Sequence, residues 1–210
     1  MNTVFLFVVL AFIFLAQVGF AMLETGLTRA KNAGNIVMKK MMDFAVCSIA
    51  FTLIGFGIMQ GNGNPVIGDI AGIASAKAYG IDMLPEGISF YLFLIFQTVL
   101  AGTAVSIMSG GMSERTKLSV YCICALFMGM IIYPLEARWI WHSQGWLNWL
   151  GFHDLAGGTA IHLCGGLAVL LGAKMVGPRT GKYSKDGKAR AIQGHSIPLA
   201  ALGFFTLWFC

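Results

Sequence analysis

Long apolar runs separated by short polar stretches dominate this chain. The first run, 4–23, contains Gln17 as its only strongly polar residue. A transmembrane helix needs about 20 predominantly apolar residues, so this run predicts a first membrane helix. It lacks the basic start and the small-residue cleavage motif of a secretory signal peptide, and we therefore expect it to be retained. Five more apolar runs cover 42–60, 88–112, 118–137, 156–177 and 195–210.

Composition supports a membrane protein. Hydrophobic residues make up 57% of the chain and charged residues 11%, whereas soluble domains contain about 25% charged residues. The runs do not alternate as the strands of an outer-membrane barrel do. We therefore expect an all-α polytopic membrane helix bundle, in which many of the 27 glycines allow close helix contacts.

The basic residues are concentrated in alternate loops. Eleven of the fourteen lie between the first and second, third and fourth, or fifth and sixth runs. Lys174 lies near the end of the fifth run, beside the last of these loops, and only Lys77 and Arg138 lie elsewhere. By the positive-inside rule, these loops are cytoplasmic and the N-terminus is outside the cytoplasmic or plasma membrane. The net charge of +5 thus indicates topology and contact with membrane lipid. No nucleic-acid site is expected, because a basic soluble face with interleaved aromatic residues is absent.

The number of spans suggests an internal repeat. Five spans precede the sixth, which must therefore run opposite to the first, as in inverted-repeat transporters. We expect a single domain over 1–210, with a first repeat over about 1–177, a cytoplasmic loop over 178–194 and the start of a second repeat over 195–210.

His162 lies deep inside the fifth run. If Asp154 caps this helix, His162 lies about 12 Å along it, near the middle of a hydrocarbon core about 30 Å thick. Ionisable residues at this depth usually mark a polar pathway. The alternative is a packing histidine that bonds a neighbouring hydroxyl. A metal site with Cys164 is disfavoured, because residues two apart on a helix point to different faces.

Several motifs resemble the ammonium transporter family (Amt/Mep/Rh). The fifth-run segment Asp-Leu-Ala-Gly-Gly-Thr-Ala-Ile-His, over 154–162, is similar to the most specific motif of that family. The other matching segments are 19–32 (GFAMLETGLTRAKN), 113–116 (SERT), 177–179 (GPR) and 195–199 (HSIPL).

The resemblance implies a homotrimer of eleven-helix subunits, each with a narrow apolar channel. It implies transport of ammonium or ammonia for nitrogen uptake, with methylammonium as a candidate substrate, and no cofactor or enzymatic activity. In the family, ammonium is recruited in an external vestibule between aromatic rings and a hydroxyl. Paired phenylalanines close the pore below this vestibule, and two histidines line the path. PII-type regulatory proteins dock on the cytoplasmic face.

Five residues receive candidate roles from this resemblance. His162 corresponds to the first pore histidine, Trp141 to the vestibule tryptophan and Asp154 to a supporting carboxylate below it. Leu100 stands where the family commonly has the outer phenylalanine, and Phe96 lies one turn away. Leucine excludes water but offers no cation–π contact. Trp141 is also consistent with an interfacial anchor, and Phe96 with ordinary packing.

Two departures from the family pattern leave rival functions open. One is Leu100, and the other is the sequence after Trp141, where His-Ser-Gln-Gly replaces the usual glycines and one residue is added before Asp154. A non-conducting ammonium sensor module of a signalling protein could tolerate both. If 210 residues were the whole protein, the half-pore would have to pair with another copy or would not conduct.

Overall fold

In the part of the chain that the structure describes, six apolar helices form the bundle. The structure is a computed structural model that describes residues 3–75, 79 and 87–210; Lys77 lies outside the described residues. Apart from two isolated β-bridges, Gly63–Gly68 and Tyr183–Ala189, the regular structure described is helical. Five helices are long and apolar enough to cross a membrane, and a sixth is shorter.

The helices follow the apolar runs, with small differences at their ends. Helices α1, α3 and α6 are regular, and α2, α4 and α5 each contain a π-helical turn. The ranges are α1, Thr3–Gly26; α2, Ala33–Ala50 with π turn Phe51–Gly55 and Phe56–Gln60; α3, Phe90–Met112; α4, Leu118–Phe127 with π turn Met128–Ile132 and Tyr133–Trp141; α5, π turn Gly158–Leu163 with Cys164–Val176; and α6, Ile197–Phe209.

The main difference from the sequence prediction is at the start of α2. The apolar run begins at 42, but the helix begins at Ala33. Lys39, Lys40 and Asp43 are therefore helical, and all three are buried. Hydropathy places Lys39 and Lys40 outside the membrane helix because it counts each charge alone, whereas the fold neutralises both lysines with Asp43 and Glu24.

Helix α3 lies at the centre of the bundle. Sixteen of its 23 residues are buried, and it packs against α1, α2 and α5. Many of these contacts use small residues. An added Cβ at Gly165 of α5 would lie only 2.9 Å from the Ile107 Cβ of α3, and one at Gly172 would lie 2.6 Å from the Met112 Sδ. Close packing of this kind fixes the axial register of α3 and α5.

Helices α1 and α6 meet through glycines. A Cβ at Gly203 would lie 2.4 Å from the backbone nitrogen of Leu23, and one at Gly26 would lie 2.5 Å from that of Ala200. These neighbours are backbone atoms, which cannot rotate away as side chains do. The packing of α6 against α1 therefore depends on the absence of side chains at Gly26 and Gly203.

Gly203→Ala is expected to lower the free energy of unfolding by about 1–3 kcal/mol, because the new methyl group forces α1 and α6 apart. Thermal unfolding of the detergent-solubilised full-length protein measures this effect. Gly34→Ala is the matched control, since it adds the same methyl group to a helical position with nothing within 4 Å. The control should be neutral or slightly stabilising; equal losses in both variants would contradict the close contact.

The three basic loops meet at one end of the bundle, around Glu114. The buried carboxylate of Glu114 accepts hydrogen bonds from the backbone nitrogen and Nε of Arg29, at 3.1 and 2.9 Å, and from Asn32 Nδ2 at 2.6 Å. Its other oxygen is 3.4 Å from Arg179 Nη1. Glu114 adopts φ 65°, a left-handed conformation that is uncommon outside glycine and is held here by these contacts. The loops after α1, α3 and α5 are thereby joined.

Stability should fall at acid pH partly through Glu114. Burial raises the pKa of this carboxyl. Hydrogen bonds from Arg29 and Asn32, together with the charge of Arg29, lower it by more than burial raises it, so the pKa is below its ordinary value. The stabilisation is therefore complete above the unfolded carboxyl pKa of about 4.3 and is lost as pH falls through the folded pKa. Unfolding midpoints between about pH 6 and 3 should fall less for Glu114→Gln than for wild type. Parallel pH curves for the two proteins would contradict this role.

Candidate functional site

Asp154 caps the start of α5 with both carboxylate oxygens. Oδ1 accepts from the backbone nitrogens of Gly157 and Gly158 at 2.7 and 2.9 Å, and Oδ2 accepts from those of Thr159 and Ala160 at 2.7 and 2.9 Å. These are the free N–H groups of a helix start. The cap predicted from sequence is therefore present, with four donors.

Gly157 allows this tight arrangement. Its φ is +89°, and a Cβ there would lie 2.3 Å from Ile161 Cδ1. Glycine adopts this conformation without steric cost. The Asp-Leu-Ala-Gly spacing thus folds the backbone so that the carboxylate lies directly over the helix end.

The carboxylate of Asp154 is anionic at neutral pH. Burial raises its pKa, but the four backbone donors outweigh that effect, and the pKa lies below the ordinary value. The side chain uses its oxygens on the helix end, so its role here is to hold backbone and to place a fixed negative charge.

Trp141 is fixed against the same turn. Its indole Nε1 donates to the backbone carbonyl oxygen of Asp154 at 2.6 Å, and its partly buried ring packs on the hydrophobic core. The last turn of α4 is thereby attached to the first turn of α5. Two of the sequence-predicted site residues are brought together by this bond.

The intervening segment, 142–153, folds back on α4 and explains how Asp154 reaches Trp141. His142 is buried, and its Nδ1 accepts from the backbone nitrogen of Gln144 at 3.1 Å. A short helix follows over Trp146–Trp149, and Asn148 Nδ2 donates to the Ile140 carbonyl at 3.2 Å. The polar residues after Trp141 are therefore part of an ordered turn.

Leu100 and Phe96 reach the same level from α3. The contacts of Gly165 with Ile107 and of Gly172 with Met112 advance in the same direction, so α3 and α5 are parallel. Extending this register back by about two turns puts Leu100 level with the start of α5, and Phe96 about one turn beyond that level. Leu100 is buried, whereas Phe96 is partly buried and packs on the core.

His162 lies one turn below the cap, within the π-helical turn of α5. Its backbone nitrogen and that of Ile161 both donate to the Gly157 carbonyl oxygen at 3.0 Å. Single π turns are frequent at functional sites, because the wider turn redirects a side chain. The adjacent Ala160 and Ile161 are buried against the bundle, and the His162 side chain is exposed on the opposite face.

Sequence reasoning missed a buried charge cluster, which consists of Glu24, Lys39, Lys40 and Asp43. Lys39 Nζ is 2.5 Å from Glu24 Oε1, and Lys40 Nζ is 2.9 Å from Glu24 Oε2. The hydroxyls of Ser109 in α3 and of Ser113, the residue that follows α3, also donate to Glu24. The sequence did contain a signal for this cluster. Asp43 follows Lys39 by four residues and Lys40 by three, which places both lysines next to Asp43 on the surface of a helix.

The family model described as "Ammonium Transporter Family" matches residues 4–210. The chain belongs to this family. The resemblance found in the motifs is thus confirmed, and so is the expected all-α membrane bundle. With its apolar helices, the chain is that of a multi-pass membrane protein.

Curated relatives in the ammonium transporter family include ammonium transporter Amt2 of Archaeoglobus fulgidus, which is 40% identical over 203 residues. The alignment covers 92% of this chain and 42% of that protein. Ammonium transporter 1 member 3 of Solanum lycopersicum is 34% identical, with 99% and 45% covered. The chain therefore spans less than half the length of these relatives.

Solved structures give the same family assignment. A protein titled "Sensor Amt Protein" superposes with a TM-score of 0.88 at 36% identity, covering 99% of this chain and 52% of that one. Mep2 of Saccharomyces cerevisiae superposes with a TM-score of 0.78 at 28% identity, covering 96% and 46%.

Proposed function

We propose that the protein containing this chain transports ammonium or ammonia across the cytoplasmic or plasma membrane. The observation that carries the proposal is the turn in which Asp154 caps α5 and its carbonyl holds the Trp141 indole. An indole face fixed beside an anionic carboxylate is suited to weak recruitment of a small cation. The names of the curated relatives, which are ammonium transporters, support the same substrate.

In this proposal the remaining site residues follow one another along the path of the substrate. Leu100 and Phe96 lie level with the recruitment turn and supply an apolar barrier, since neither can solvate a metal ion. His162 follows one turn below and presents a ring that can both donate and accept a hydrogen bond when neutral. Its exposed face is where the second half of the pore, including a second histidine, would pack.

The proposed assembly is the one that the resemblance to the family implies. The protein is proposed to be a homotrimer with its N-terminus outside and its basic loops in the cytoplasm. The first repeat covers about 1–177, the linking loop 178–194 and the start of the second repeat 195–210. The basic loops around Glu114 would contact lipid headgroups and provide a docking face for a PII-type protein.

Uptake by proteoliposomes containing the full-length protein tests the recruitment step. Trp141→Leu is expected to raise the ammonium concentration for half-maximal uptake by about 2- to 30-fold, which corresponds to the cation–π energy of roughly 0.5–2 kcal/mol. Trp149→Leu is the matched control, because Trp149 is 63% exposed and its indole donates to the Ser143 carbonyl instead. Equal effects of the two variants would exclude Trp141 as the recruiting residue.

A second candidate is an ammonium sensor module. It is favoured by the match to the protein titled "Sensor Amt Protein" and by leucine at position 100. A sensor would bind ammonium without net uptake, so ligand-dependent stabilisation without transport by the full-length protein would support it over the transporter.

A further inference from the structure

The four charges of the buried cluster are unevenly partnered. Glu24 accepts hydrogen bonds from Lys39 and from two serine hydroxyls, and it forms an ion pair with Lys40. Neither oxygen of Asp43 accepts a hydrogen bond from the described residues. The nearby Tyr121 hydroxyl instead donates to the Val105 carbonyl at 3.1 Å. A buried carboxylate without a donor is costly, and a nearby cation that moved toward it would relieve that cost.

Lys40 lies between the two carboxylates. Its Nζ is 2.9 Å from Glu24 Oε2 and 3.7 Å from Asp43 Oδ2. It also donates to the Ser106 carbonyl at 2.8 Å and lies 5.8 Å above the centre of the Phe20 ring. A carboxylate, a carbonyl and an aromatic face together form a complete set of partners for a small ammonium ion.

A cavity of about 260 Å³ adjoins this ammonium group. Phe20, Glu24, Lys40 and Ser106 line it, together with the apolar Leu23, Leu27 and Ile107, with Gly110, and with the charged Arg179. The guanidinium of Arg179 is also paired with Glu114. Lys39 is equally buried but is absent from this lining. Of the two lysines that share Glu24, only Lys40 therefore borders the cavity.

The cavity lies beyond His162 in the direction of the basic loops. Ile107 of α3 lines it and also contacts Gly165 of α5. In the register of the two parallel helices, this level is about one turn below His162.

We propose that this cavity is a second cation site, which takes ammonium or a primary methylammonium ion, and that Lys40 occupies it when substrate is absent. The choice of ammonium as the substrate rests on the proposed function. The site itself, and its occupation by the Lys40 ammonium group, do not follow from that function. An arriving ammonium ion takes the place of Lys40 against Glu24 and the Ser106 carbonyl. Lys40 shifts to Asp43, so Asp43 gains a cation, and Glu24 keeps Lys39 and holds the ammonium ion in place of Lys40.

Restoration of thermal stability by ammonium distinguishes the role of Lys40 from that of Lys39. Both lysine-to-alanine variants of the full-length protein should unfold at a lower temperature than wild type. Ammonium chloride should then raise the midpoint of Lys40→Ala by about 3 °C more than the same concentration of sodium chloride, at roughly ten times its dissociation constant. Lys39→Ala should show no such excess over wild type, because its vacated position does not border the cavity. Tetramethylammonium, which donates no hydrogen bond, should rescue neither variant.

The apparent affinity gives a second readout. Removal of a side chain that occupies the site nine-tenths of the time should lower the apparent dissociation constant for ammonium about tenfold. Equal rescue of the two alanine variants, or rescue of neither, would overturn the proposal.

A conservative variant keeps the test decisive if Lys40→Ala does not fold. Asp43→Asn is nearly isosteric and removes the charge that receives Lys40, so ammonium should stabilise this variant less than it stabilises wild type. Equal ammonium-dependent shifts in Asp43→Asn and wild type would overturn the displacement of Lys40. These measurements on solubilised protein are independent of transport. Failure of rescue with normal wild-type uptake rejects this site alone, whereas absence of wild-type uptake rejects the proposed function.

Discussion

Asp154→Ala is expected to lower the free energy of unfolding by about 2–4 kcal/mol, since four backbone donors lose a charged acceptor at once. The same change should reduce ammonium uptake, because the turn that holds the Trp141 indole loses its anchor. Asp154→Asn should be intermediate, as its side chain keeps one acceptor oxygen and places an amide against the remaining donors. Thermal unfolding and uptake by full-length protein measure the two effects.

The matched control for Asp154 is Asp186→Ala, which removes an exposed aspartate from the loop after α5. Its stability and uptake should stay within error of wild type. The cap would be refuted as the basis of the site if Asp154→Ala unfolded at the wild-type temperature, or if uptake were lost equally in both alanine variants.

Glu24→Ala should cost about 3–5 kcal/mol of unfolding free energy, because it leaves two lysines buried without their shared carboxylate. Thermal unfolding of the detergent-solubilised full-length protein measures the loss. The double variant Glu24→Met, Lys39→Met provides a sharper comparison. It removes one charge of each sign and leaves Lys40 with Asp43, so part of the lost stability should return.

Strict additivity would contradict the ion-pair account of this cluster. If Lys39→Met worsened Glu24→Met by its full single-variant cost, the two side chains would act independently. Lys31→Ala, which changes an exposed lysine just before α2, should be nearly neutral and thus controls for removal of positive charge.

The helices and the α5 cap could be predicted from the sequence, because both follow from local rules. Apolar runs of the right length predict α1 and α3 to α6, and Asp154 followed by Leu-Ala-Gly-Gly-Thr predicts the cap. The start of α2 could not be found in this way. Lys39, Lys40 and Asp43 are acceptable inside a membrane helix only because Glu24, which is 15 residues before Lys39, reaches them in the folded bundle.

The detailed site depends on contacts that a single sequence does not reveal. The Trp141 indole bonds the carbonyl of Asp154, a residue 13 positions away, and the path between them is set by an ordered turn. Likewise, the level of Leu100 relative to α5 depends on glycine contacts between two distant helices. Motif resemblance suggested which residues belong together, and tertiary packing determines how they meet.

Ammonium uptake by the full-length protein in proteoliposomes tests the central claim most directly. Wild type should give saturable uptake that empty liposomes lack, and His162→Ala should reduce the maximal rate at least tenfold at equal amounts of reconstituted protein, on the order of the effect of losing a group that handles protons. Wild-type uptake equal to that of empty liposomes would contradict the transport assignment. Full uptake by His162→Ala would contradict a conduction path that depends on His162.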